Sequence, residues 1–330
     1  MTKATKTLWL RLAFFAAIVL FFVLYLRGID YDNLKHLDLA WSLVIVASAF
    51  GMIFRYWGVM IWRFILKDLG AQELPAFRVL ADIYAKAWMG RYIPGTFTWI
   101  AGKVYLASQM GISKSRLAVA SLLEGGMQII AISSVSLLIL GFDSRLNVIS
   151  SQVKIVMGII GLALLIVLSP KVFNRLIRSA YKLIRRQEAH EELSTNGRTV
   201  VRAFILYAIG AFITGTSYFF FTRAIVPTIG WHEYFYIIGT FNLAGAIGMA
   251  ALFVPSGLGV REGVQLVLLS SIMPKEMALI VTVASRLWSA AVDVLFYGIA
   301  ASWRRFKPPT PGPPSASRPA TSPRTPAVVA

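Results

Sequence analysis

The chain contains no cysteine and only three histidines. The absence of cysteine excludes disulfide frameworks, thiol nucleophiles and cysteine-ligated metal centres. None of His36, His190 and His232 stands at a metal-ligand spacing, because no second histidine follows His190 one helical turn later. We therefore expect neither a metal ion nor another cofactor.

Charged residues are also scarce, and they are unbalanced in sign. They make up 15% of the 330 residues against 57% hydrophobic residues, and Lys+Arg 33 against Asp+Glu 15 leaves a net charge of +18. Soluble domains usually contain ~25% charged residues. A basic nucleic-acid binder would not also carry several apolar runs long enough to cross a bilayer. We expect a membrane protein whose positive charge sets its topology and attracts anionic lipid headgroups, with no nucleic-acid partner.

Seven apolar runs are near or above the ~20 residues that an α-helix needs to cross ~30 Å of hydrocarbon. No stretch of comparable length alternates in hydrophobicity as a strand would. We therefore predict an all-α, polytopic membrane bundle. The runs are 8–26, 40–61, 117–141, 148–168, 200–226, 234–254 and 278–302.

The distribution of lysine and arginine predicts the orientation of the bundle. The connections 62–116 and 169–202 hold eight basic residues each, whereas 27–39 holds two. The positive-inside rule places the two basic connections and the N-terminus in the cytoplasm. Basic residues after the last run, such as Arg304, place the C-terminus there too. This requires an even number of crossings, so we predict about eight spans in a bacterial inner membrane protein.

Two further apolar segments are interrupted by proline and glycine. One runs from Ile83 through Pro94-Gly95 to Met110, and the other runs from Pro255 through Gly263 to Met273. Helix formation from Gly263 to Met273 would extend only ~16 Å, about half of the hydrocarbon layer. Irregular backbone at membrane depth must be buried in protein or line water. We predict broken or re-entrant helices, and we take the second segment as the eighth span, with the Pro94 segment as the alternative.

The two broken segments resemble each other in spacing. Pro94 to Ser113 and Pro255 to Pro274 are both nineteen steps, and an apolar helix follows each. Two halves that each carry a broken segment are typical of a transporter whose site lies between its repeats. The alternative is coincidence, since Pro-Gly turns are common at helix ends.

Candidate ligands for a lipid phosphate are grouped around these breaks and within the spans. The N-terminus of a half-helix presents free N–H groups and partial positive charge, which favour an anion. A charged side chain at the centre of a span costs ~2.5–3.5 kcal/mol on insertion scales and usually faces the protein interior. The candidate substrate-binding residues are Lys103, Glu124, Gly257, Gly259, Arg261, Glu262, Arg286 and Asp293.

Each charge inside a span has a functional and a structural interpretation. In the functional one, Arg286 binds the headgroup phosphate, and Glu124 or Asp293 titrates a proton or binds an amine. In the structural one, Glu124 with Arg286, or Asp293 with another arginine, forms an ion pair between helices. Arg55 lies toward the end of its run, where its side chain could snorkel to the interface.

No nucleotide site is visible in the sequence. The run Gly257–Gly263 is close to a dinucleotide-binding loop, but its third glycine comes one residue late and no strand precedes it. A Gly-rich phosphate loop is also absent. Transport by this chain would therefore be downhill or coupled to an ion.

Three motifs carry a resemblance to a known family. They are the loop Arg91-Tyr92-Ile93-Pro94-Gly95 before Gly102-Lys103, the helix Ala118–Glu124, and above all Val254-Pro255-Ser256-Gly257-Leu258-Gly259-Val260-Arg261-Glu262. They resemble the membrane region of lysylphosphatidylglycerol synthases and of related stand-alone, flippase-like inner-membrane proteins. The resemblance covers roughly residues 8 to 305, and its most specific part is Pro-x-Gly-x-Gly-x-x-Glu. The first loop departs from the family pattern, because Thr96-Phe97-Thr98-Trp99 intervenes and Lys103 takes the basic position.

This resemblance implies a lipid-handling membrane unit for an anionic phospholipid, an aminoacylated lipid or a polyprenyl-phosphate sugar carrier. Bifunctional members of the family append a soluble aminoacyltransferase domain. In this sequence a tail with eight of the fourteen prolines follows Lys307, so we do not carry the aminoacylation activity over. We expect a transmembrane, flippase-like domain over 1–307 and a disordered, Pro-rich cytoplasmic tail over 308–330.

The resulting prediction is a protein that binds a phosphate-bearing lipid, a phospholipid or a polyprenyl-phosphate-linked glycan, and moves it between leaflets. Two alternatives stay open. A membrane-embedded glycosyl or lipid transferase would use Glu262 or Glu124 as a general base. A non-transporting scaffold would instead bind a glycosyltransferase or a lipid synthase.

Overall fold

The computed structural model describes residues 38–71, 73–92, 98–143, 151–167, 197–251, 257 and 259–306, with single residues between 171 and 179. Regular structure in these ranges is entirely helical, which confirms the prediction of an all-α membrane bundle. Two short 3-10 helices are also present, Gly90–Tyr92 and Trp231–Glu233. The α-helices are α1 Trp41–Asp68, α2 Phe77–Met89, α3 Thr98–Ser108, α4 Lys114–Gly141, α5 Ser151–Val167, α6 Gly197–Ile225, α7 Tyr234–Ala250, α8 Val260–Leu269 and α9 Lys275–Phe306.

Four of these helices, α1, α4, α6 and α9, are long and apolar enough to cross a membrane. They contain most of the predicted runs 40–61, 117–141, 200–226 and 278–302. Helices α5 and α7 have 17 residues each and lie within the predicted runs 148–168 and 234–254. The predicted run 8–26 and the tail 308–330 lie outside the described residues. The chain is thus a multi-pass membrane protein.

Helices α1 and α6 are antiparallel neighbours. At one end of the pair the Ala40 N–H donates a hydrogen bond to the Ala224 carbonyl over 3.1 Å. At the other end the Thr199 hydroxyl donates to the Asp68 carboxylate. Two antiparallel helices of 28 and 29 residues therefore run side by side along their lengths.

The remaining long helices take opposite directions. Helix α9 runs parallel to α1, because the Trp288 indole donates to Ser48 and Arg55 bonds to Asp293. Helix α4 runs the other way, since Leu140 at its end packs against Gly239 near the start of α7. We call the end where α1 and α9 finish and where α2, α4 and α6 begin the basic end. Its basic residues include Lys67, Arg78, Lys114, Arg198 and Arg304.

Helices α2 and α3 form a hairpin that enters from the basic end. Their 13 and 11 residues extend only ~16–20 Å, which is shorter than the hydrocarbon layer. The Thr98 hydroxyl donates to the Gly90 carbonyl over 2.6 Å across the tip. Gly102 brings α3 against α2, because a Cβ at this position would lie 3.3 Å from Ala87 Cα.

Helices α7 and α8 form a second hairpin that enters from the opposite end. The Tyr236 hydroxyl donates to the Leu268 carbonyl over 2.8 Å near its base. At its tip, Gly257 has φ +63, and a Cβ there would lie 2.5 Å from Gly248 Cα. Only glycine fits this position without displacing backbone.

Each hairpin belongs to a larger unit of the chain. The two units have the same order of helices and enter the bundle from opposite ends. Each unit consists of a long helix, a hairpin and a second long helix. The shift from Met89 to Ala250, from Ser108 to Leu269 and from Lys114 to Lys275 is 161 residues in every case. Packing is reciprocal as well, since α4 packs on α7 while α9 packs on α2. The described helices therefore form an inverted repeat around the α1–α6 pair.

The apolar core is divided between the two ends of the bundle. One cluster joins α1, α2 and α4 toward the basic end around Trp62 and Leu117. Another joins α6, α8 and α9 toward the opposite end around Phe219 and Leu279. The polar residues that follow lie between these two clusters.

The tip of the second hairpin gives a direct test of this arrangement. Gly257→Ala should lower the free energy of unfolding by about 2 kcal/mol or more, because it adds strain at positive φ and a clash with Gly248. Gly263→Ala is the matched control, since nothing lies within 4 Å of its Cβ position, and it should be neutral or stabilise α8 by about 0.5–1 kcal/mol. Thermal unfolding of the purified variants in detergent measures both. Equal stability of the two variants would contradict the packing described at Gly257.

Candidate functional site

A cavity of about 110 Å³ lies where the two hairpin tips meet the long helices. Arg55 and Gln128 occupy the middle of α1 and α4, so the cavity lies near the mid-depth of the bundle. Its wall is polar for a site at that depth. The polar lining residues are Arg55, Arg91, Gln128, Thr214, Ser217, Asn242, Arg261 and Ser289, and aromatic ones include Phe54, Trp88, Tyr218, Phe241 and Trp288.

Three arginines line this cavity, and no aspartate or glutamate is among its described lining residues. Arg55 comes from α1, Arg91 from the tip of the first hairpin and Arg261 from the first turn of α8. The guanidinium groups thus converge from both repeats. Such an arrangement attracts an anion, and guanidinium geometry suits phosphate oxygens in particular.

Asp293 lies behind the cavity wall, fully buried, and holds three elements together. Its Oδ1 accepts hydrogen bonds from Arg55 Nε at 2.6 Å and from Trp88 Nε1 at 3.1 Å. Its Oδ2 accepts from the Tyr92 hydroxyl at 2.5 Å, and Arg91 Nη1 lies 3.9 Å away. Asp293 therefore joins α9 to α1 and to the tip of the first hairpin.

Arg55 is committed to this network. Besides Asp293, its guanidinium donates to the Gly51 carbonyl over 2.8 Å and to the Ser289 carbonyl over 3.1 Å. It is therefore buried and paired, and it does not snorkel as the sequence had suggested it could. The sequence hypothesis of Asp293 paired with another arginine corresponds to this geometry.

Arg261 has a different environment. Its Nη2 donates to the Tyr218 hydroxyl over 2.5 Å, and its guanidinium carbon lies 5.4 Å from the centre of the Tyr218 ring. Only 8% of the side chain is exposed, and its Nε has no hydrogen-bond partner among the described residues. An arginine with an unused donor at the cavity wall is prepared to bind an acceptor.

Glu262 caps the helix that carries Arg261. Its Oε2 accepts from the Gly259 N–H over 2.7 Å, and its Oε1 lies 3.5 Å from Arg286 Nη1. The carboxylate therefore occupies the amide end of α8, where the sequence placed a headgroup phosphate. Gly257 contributes the close approach to Gly248 and brings the tip against α7. In this arrangement the Gly259 amide is already bonded to Glu262, so the positive charge available to an anion is that of the Arg261 guanidinium.

Lys103 and Glu124 pair with each other away from the cavity wall. Lys103 Nζ lies 2.6 Å from Glu124 Oε2, and the Tyr84 hydroxyl donates to Glu124 Oε1 over 2.8 Å. The ammonium also lies over the rings of Tyr84, Trp99 and Trp62 at 3.8, 5.1 and 5.2 Å. Both charged side chains are buried. The partner that the structural hypothesis gave to Glu124, Arg286, instead lies against Glu262.

The structure thus divides the eight predicted site residues into three groups. Arg261, Glu262, Arg286, Gly257 and Gly259 lie together at the second tip. Asp293 braces the cavity from behind, and the Lys103–Glu124 pair braces the first hairpin.

Sequence reasoning missed several lining residues. Arg91 was part of the motif before Pro94-Gly95 but was not among the candidate substrate-binding residues. A basic residue just before a Pro-Gly break could have identified it. Gln128 and Asn242 were also visible as amides inside apolar runs. Tyr218 had no sequence signal, because its role depends on contact with Arg261 across the bundle.

These features define a multi-pass helical membrane protein with paired hairpins around a polar cavity. The profile described as lysylphosphatidylglycerol synthase TM region matches residues 8–296. The chain belongs to that family, which confirms the resemblance drawn from its motifs. A search of curated proteins gives no significant match.

The buried Lys103–Glu124 pair leads to a stability prediction. Lys103→Met leaves the Glu124 carboxylate buried without a counter-charge, which should cost about 3–5 kcal/mol. The double variant Lys103→Met with Glu124→Gln removes both charges and keeps a hydrogen bond to Tyr84, so it should recover most of that loss. Denaturant unfolding of the purified proteins measures the difference. A single variant as stable as the wild type would show that the pair does not hold α3 to α4.

Proposed function

We propose that this protein binds the phosphate-bearing headgroup of a membrane lipid in the cavity between the hairpin tips and moves the lipid between leaflets. Membership of a lipid-related family supports this function. The observation that carries it is the convergence of Arg55, Arg91 and Arg261 on one cavity at mid-depth. Cations at that depth are costly, and they are found where an ion or substrate passes.

The inverted repeat supports movement as well as binding. Inverted repeats with broken helices are typical of transporters, in which one unit moves relative to the other around a central site. Here each tip supplies one arginine, Arg91 from the first hairpin and Arg261 from the second. The headgroup would exchange between these arginines while the acyl or prenyl chains stay in hydrocarbon.

The transferase alternative has less support from the geometry. Its two candidate bases are both engaged, Glu124 with Lys103 and Tyr84, and Glu262 with Gly259 and Arg286. A base must reach the proton that it removes. The scaffold alternative, with a glycosyltransferase or lipid synthase as partner, is decided by the transport assay below.

We also propose a location in the bacterial inner membrane with both termini in the cytoplasm. The basic end carries the last turn of α9, with Arg304 and Arg305, together with the starts of α2, α4 and α6. By the positive-inside rule this end faces the cytoplasm.

Transbilayer movement of tail-labelled lipids in proteoliposomes tests the proposed function. A set with phosphodiester and phosphomonoester headgroups should include at least one lipid that crosses faster than in protein-free vesicles. Arg261→Gln should slow that lipid by about tenfold, because one buried charge-assisted contact is worth ~1.5–3 kcal/mol. Arg223→Gln is the matched control, since Arg223 lies against Trp231 away from the cavity.

Two results would overturn the proposal. One is a set of rates equal to those of protein-free vesicles for every lipid. The other is a rate that falls equally in Arg261→Gln and Arg223→Gln. A stable glycosyltransferase or lipid synthase complex without any transport would instead support the scaffold alternative.

A further inference from the structure

A second and smaller void adjoins the cavity on the side of the basic end. Its volume is about 10 Å³. The lining residues that it shares with the cavity are Phe54, Arg55, Trp88 and Gln128. Its other lining residues are Trp57, Gly58, Ile61, Tyr84 and Tyr207. Those of α1 follow Arg55 in the direction of Asp68, so the void extends the cavity by about one helical turn toward the basic end.

Tyr207 brings an unpartnered hydroxyl to this void. Its side chain is 3% exposed, and its hydroxyl has no hydrogen-bond partner among the described residues. Leaving a buried hydroxyl unsatisfied is costly. A void of this size holds about one water molecule where about two to four polar groups can bond to it. The hydroxyls of Tyr84 and Tyr207 and the amide of Gln128 are such groups, and we call the void between them the water site.

Tyr84 connects the water site to a buried carboxylate. Its hydroxyl donates to Glu124 Oε1 over 2.8 Å. Tyr207 also lies close enough to Glu124 and Tyr84 to interact with both electrostatically. The cavity, the water site, Tyr84 and Glu124 are therefore consecutive positions on one polar path. Protons pass along such paths by exchange between neighbouring hydrogen-bonded groups.

The charged and titratable groups near Glu124 come from the helices around α4. Those of the described helices are Lys103 of α3, Tyr84 of α2 and Tyr207 of α6, with Arg55 of α1 and Arg91 of the first tip acting on Tyr84 from further away. Helix α7 has no charged residue, and Lys154, the one charged residue of α5, belongs to a first turn at the opposite end. Among the described residues, the cation in contact with Glu124 is Lys103.

The surroundings of Lys103 allow Glu124 to change its charge. The ammonium lies 3.8 Å from the ring centre of Tyr84, 5.1 Å from that of Trp99 and 5.2 Å from that of Trp62. A cation within ~6 Å of a ring centre is attracted to the face of the ring, most strongly when it is desolvated. The three rings stabilise the ammonium independently of Glu124. The carboxylate can therefore take up a proton without leaving a buried cation unpartnered.

The second unit builds the same backbone without these groups. By the shift of 161 residues, the positions of Tyr84, Lys103 and Glu124 correspond to Gly245, Val264 and Ser285. A buried ion pair is often no more stabilising than apolar residues of the same volume, because both charges must be desolvated. The hairpin fold thus does not require the pair at these positions. Ionisable groups at membrane depth are typical of proton relays.

We infer that Glu124 is a proton-binding site connected to the cavity, and that movement of the lipid is coupled to movement of a proton. This inference rests on the proposed function and names its coupling ion. In the step, a hydronium ion at the water site gives a proton to the Tyr84 oxygen while the Tyr84 O–H proton passes to Glu124 Oε1, which regenerates the water and the Tyr84 hydroxyl. The neutral Glu124 then attracts Lys103 less, which frees the first hairpin to move relative to α4.

A pH gradient across proteoliposomes tests the coupling. The full-length protein is reconstituted with a trace of tail-labelled phosphatidylglycerol, lysylphosphatidylglycerol or phosphatidic acid, and valinomycin with equal potassium on both sides clamps the membrane potential. The readout is the steady-state ratio of labelled lipid between leaflets, because a mere change of rate does not displace it. If one proton moves with each lipid, a gradient of one pH unit should shift this ratio about tenfold for at least one lipid, relative to protein-free vesicles.

Two variants interrupt the path without changing the arginines of the cavity. Lys103→Met with Glu124→Gln should leave the lipid equally distributed under the gradient, because no carboxylate remains to take up the proton. Tyr207→Phe removes a hydroxyl of the water site and should slow the approach to the steady state about tenfold or more. Thr222→Val is the matched control for Tyr207→Phe, since it also removes a buried α6 hydroxyl without a described partner, away from the void.

Infrared difference spectroscopy gives a readout that does not depend on transport. Between acid and alkaline pH, the protein in nanodiscs should lose the C=O band of a protonated carboxyl group in apolar surroundings. The double variant should lack this band. If the double variant does not fold, Glu124→Asp, which keeps a carboxyl group, should shift the band. Absence of the band from the wild type would show that Glu124 stays ionised, and would overturn the inference.

The gradient experiment can overturn the inference in three ways. The wild type moves lipid but leaves the leaflet ratio as in protein-free vesicles, or the double variant shifts the ratio as far as the wild type does, or Tyr207→Phe and Thr222→Val behave alike. Each of these results leaves the proposed function intact, because lipid still crosses faster than without protein. Movement of no lipid at all would instead remove the proposed function, and the coupling with it.

Discussion

The bundle depends on the burial of Arg55 against Asp293 at the mid-depth of the membrane. An unpaired arginine or aspartate at this depth would be too costly, and the pair is stable only because further hydrogen bonds satisfy both groups. Asp293 accepts hydrogen bonds from Arg55, Trp88 and Tyr92, and Arg55 also donates hydrogen bonds to two backbone carbonyls. This network fixes one wall of the cavity. Because the wall is held from behind, Arg91 and Arg261 can present positive charge at its surface.

The two repeats share their backbone arrangement and differ in their chemistry. A shift of 161 residues relates α3 to α8 and the start of α4 to the start of α9. By the same shift, Lys103 and Glu124 correspond to Val264 and Ser285. The first hairpin is therefore held by a buried ion pair that the second hairpin does not repeat. The second tip relies instead on the Gly248–Gly257 contact and on the Glu262 cap.

Much of the fold could be predicted from the sequence, because the hydrocarbon layer imposes a length and a polarity on every spanning helix. Hydropathy located α4 and α9 but did not predict the polar residues at their ends. Helix α4, for example, begins at Lys114 after the cap Ser113, three residues before the predicted run. Helix α1 continues to Asp68 for a similar reason, since a helix does not stop where the apolar layer ends. The prolines and glycines located both tips.

The pairing of charges could not be predicted in the same way. Arg55 and Asp293 are 238 residues apart, and their contact depends on how α1 and α9 are rotated and packed. The sequence hypothesis paired Glu124 with Arg286, whereas in the structure Glu124 pairs with Lys103 and Arg286 lies against Glu262. Sequence indicated which residues are costly to bury, and tertiary packing decided which of them meet.

Asp82 gives the basic end a mechanical connection that reaches the cavity. This buried carboxylate in α2 binds both Lys86 on its own helix and Arg304 in the last turns of α9, at 2.8 and 2.5 Å. A displacement of the last turns of α9 would therefore act on α2 through the Arg304–Asp82 contact. The segment that follows α2 contains Arg91. Helix α2 would in this way link the last turns of α9 to the cavity wall at Arg91.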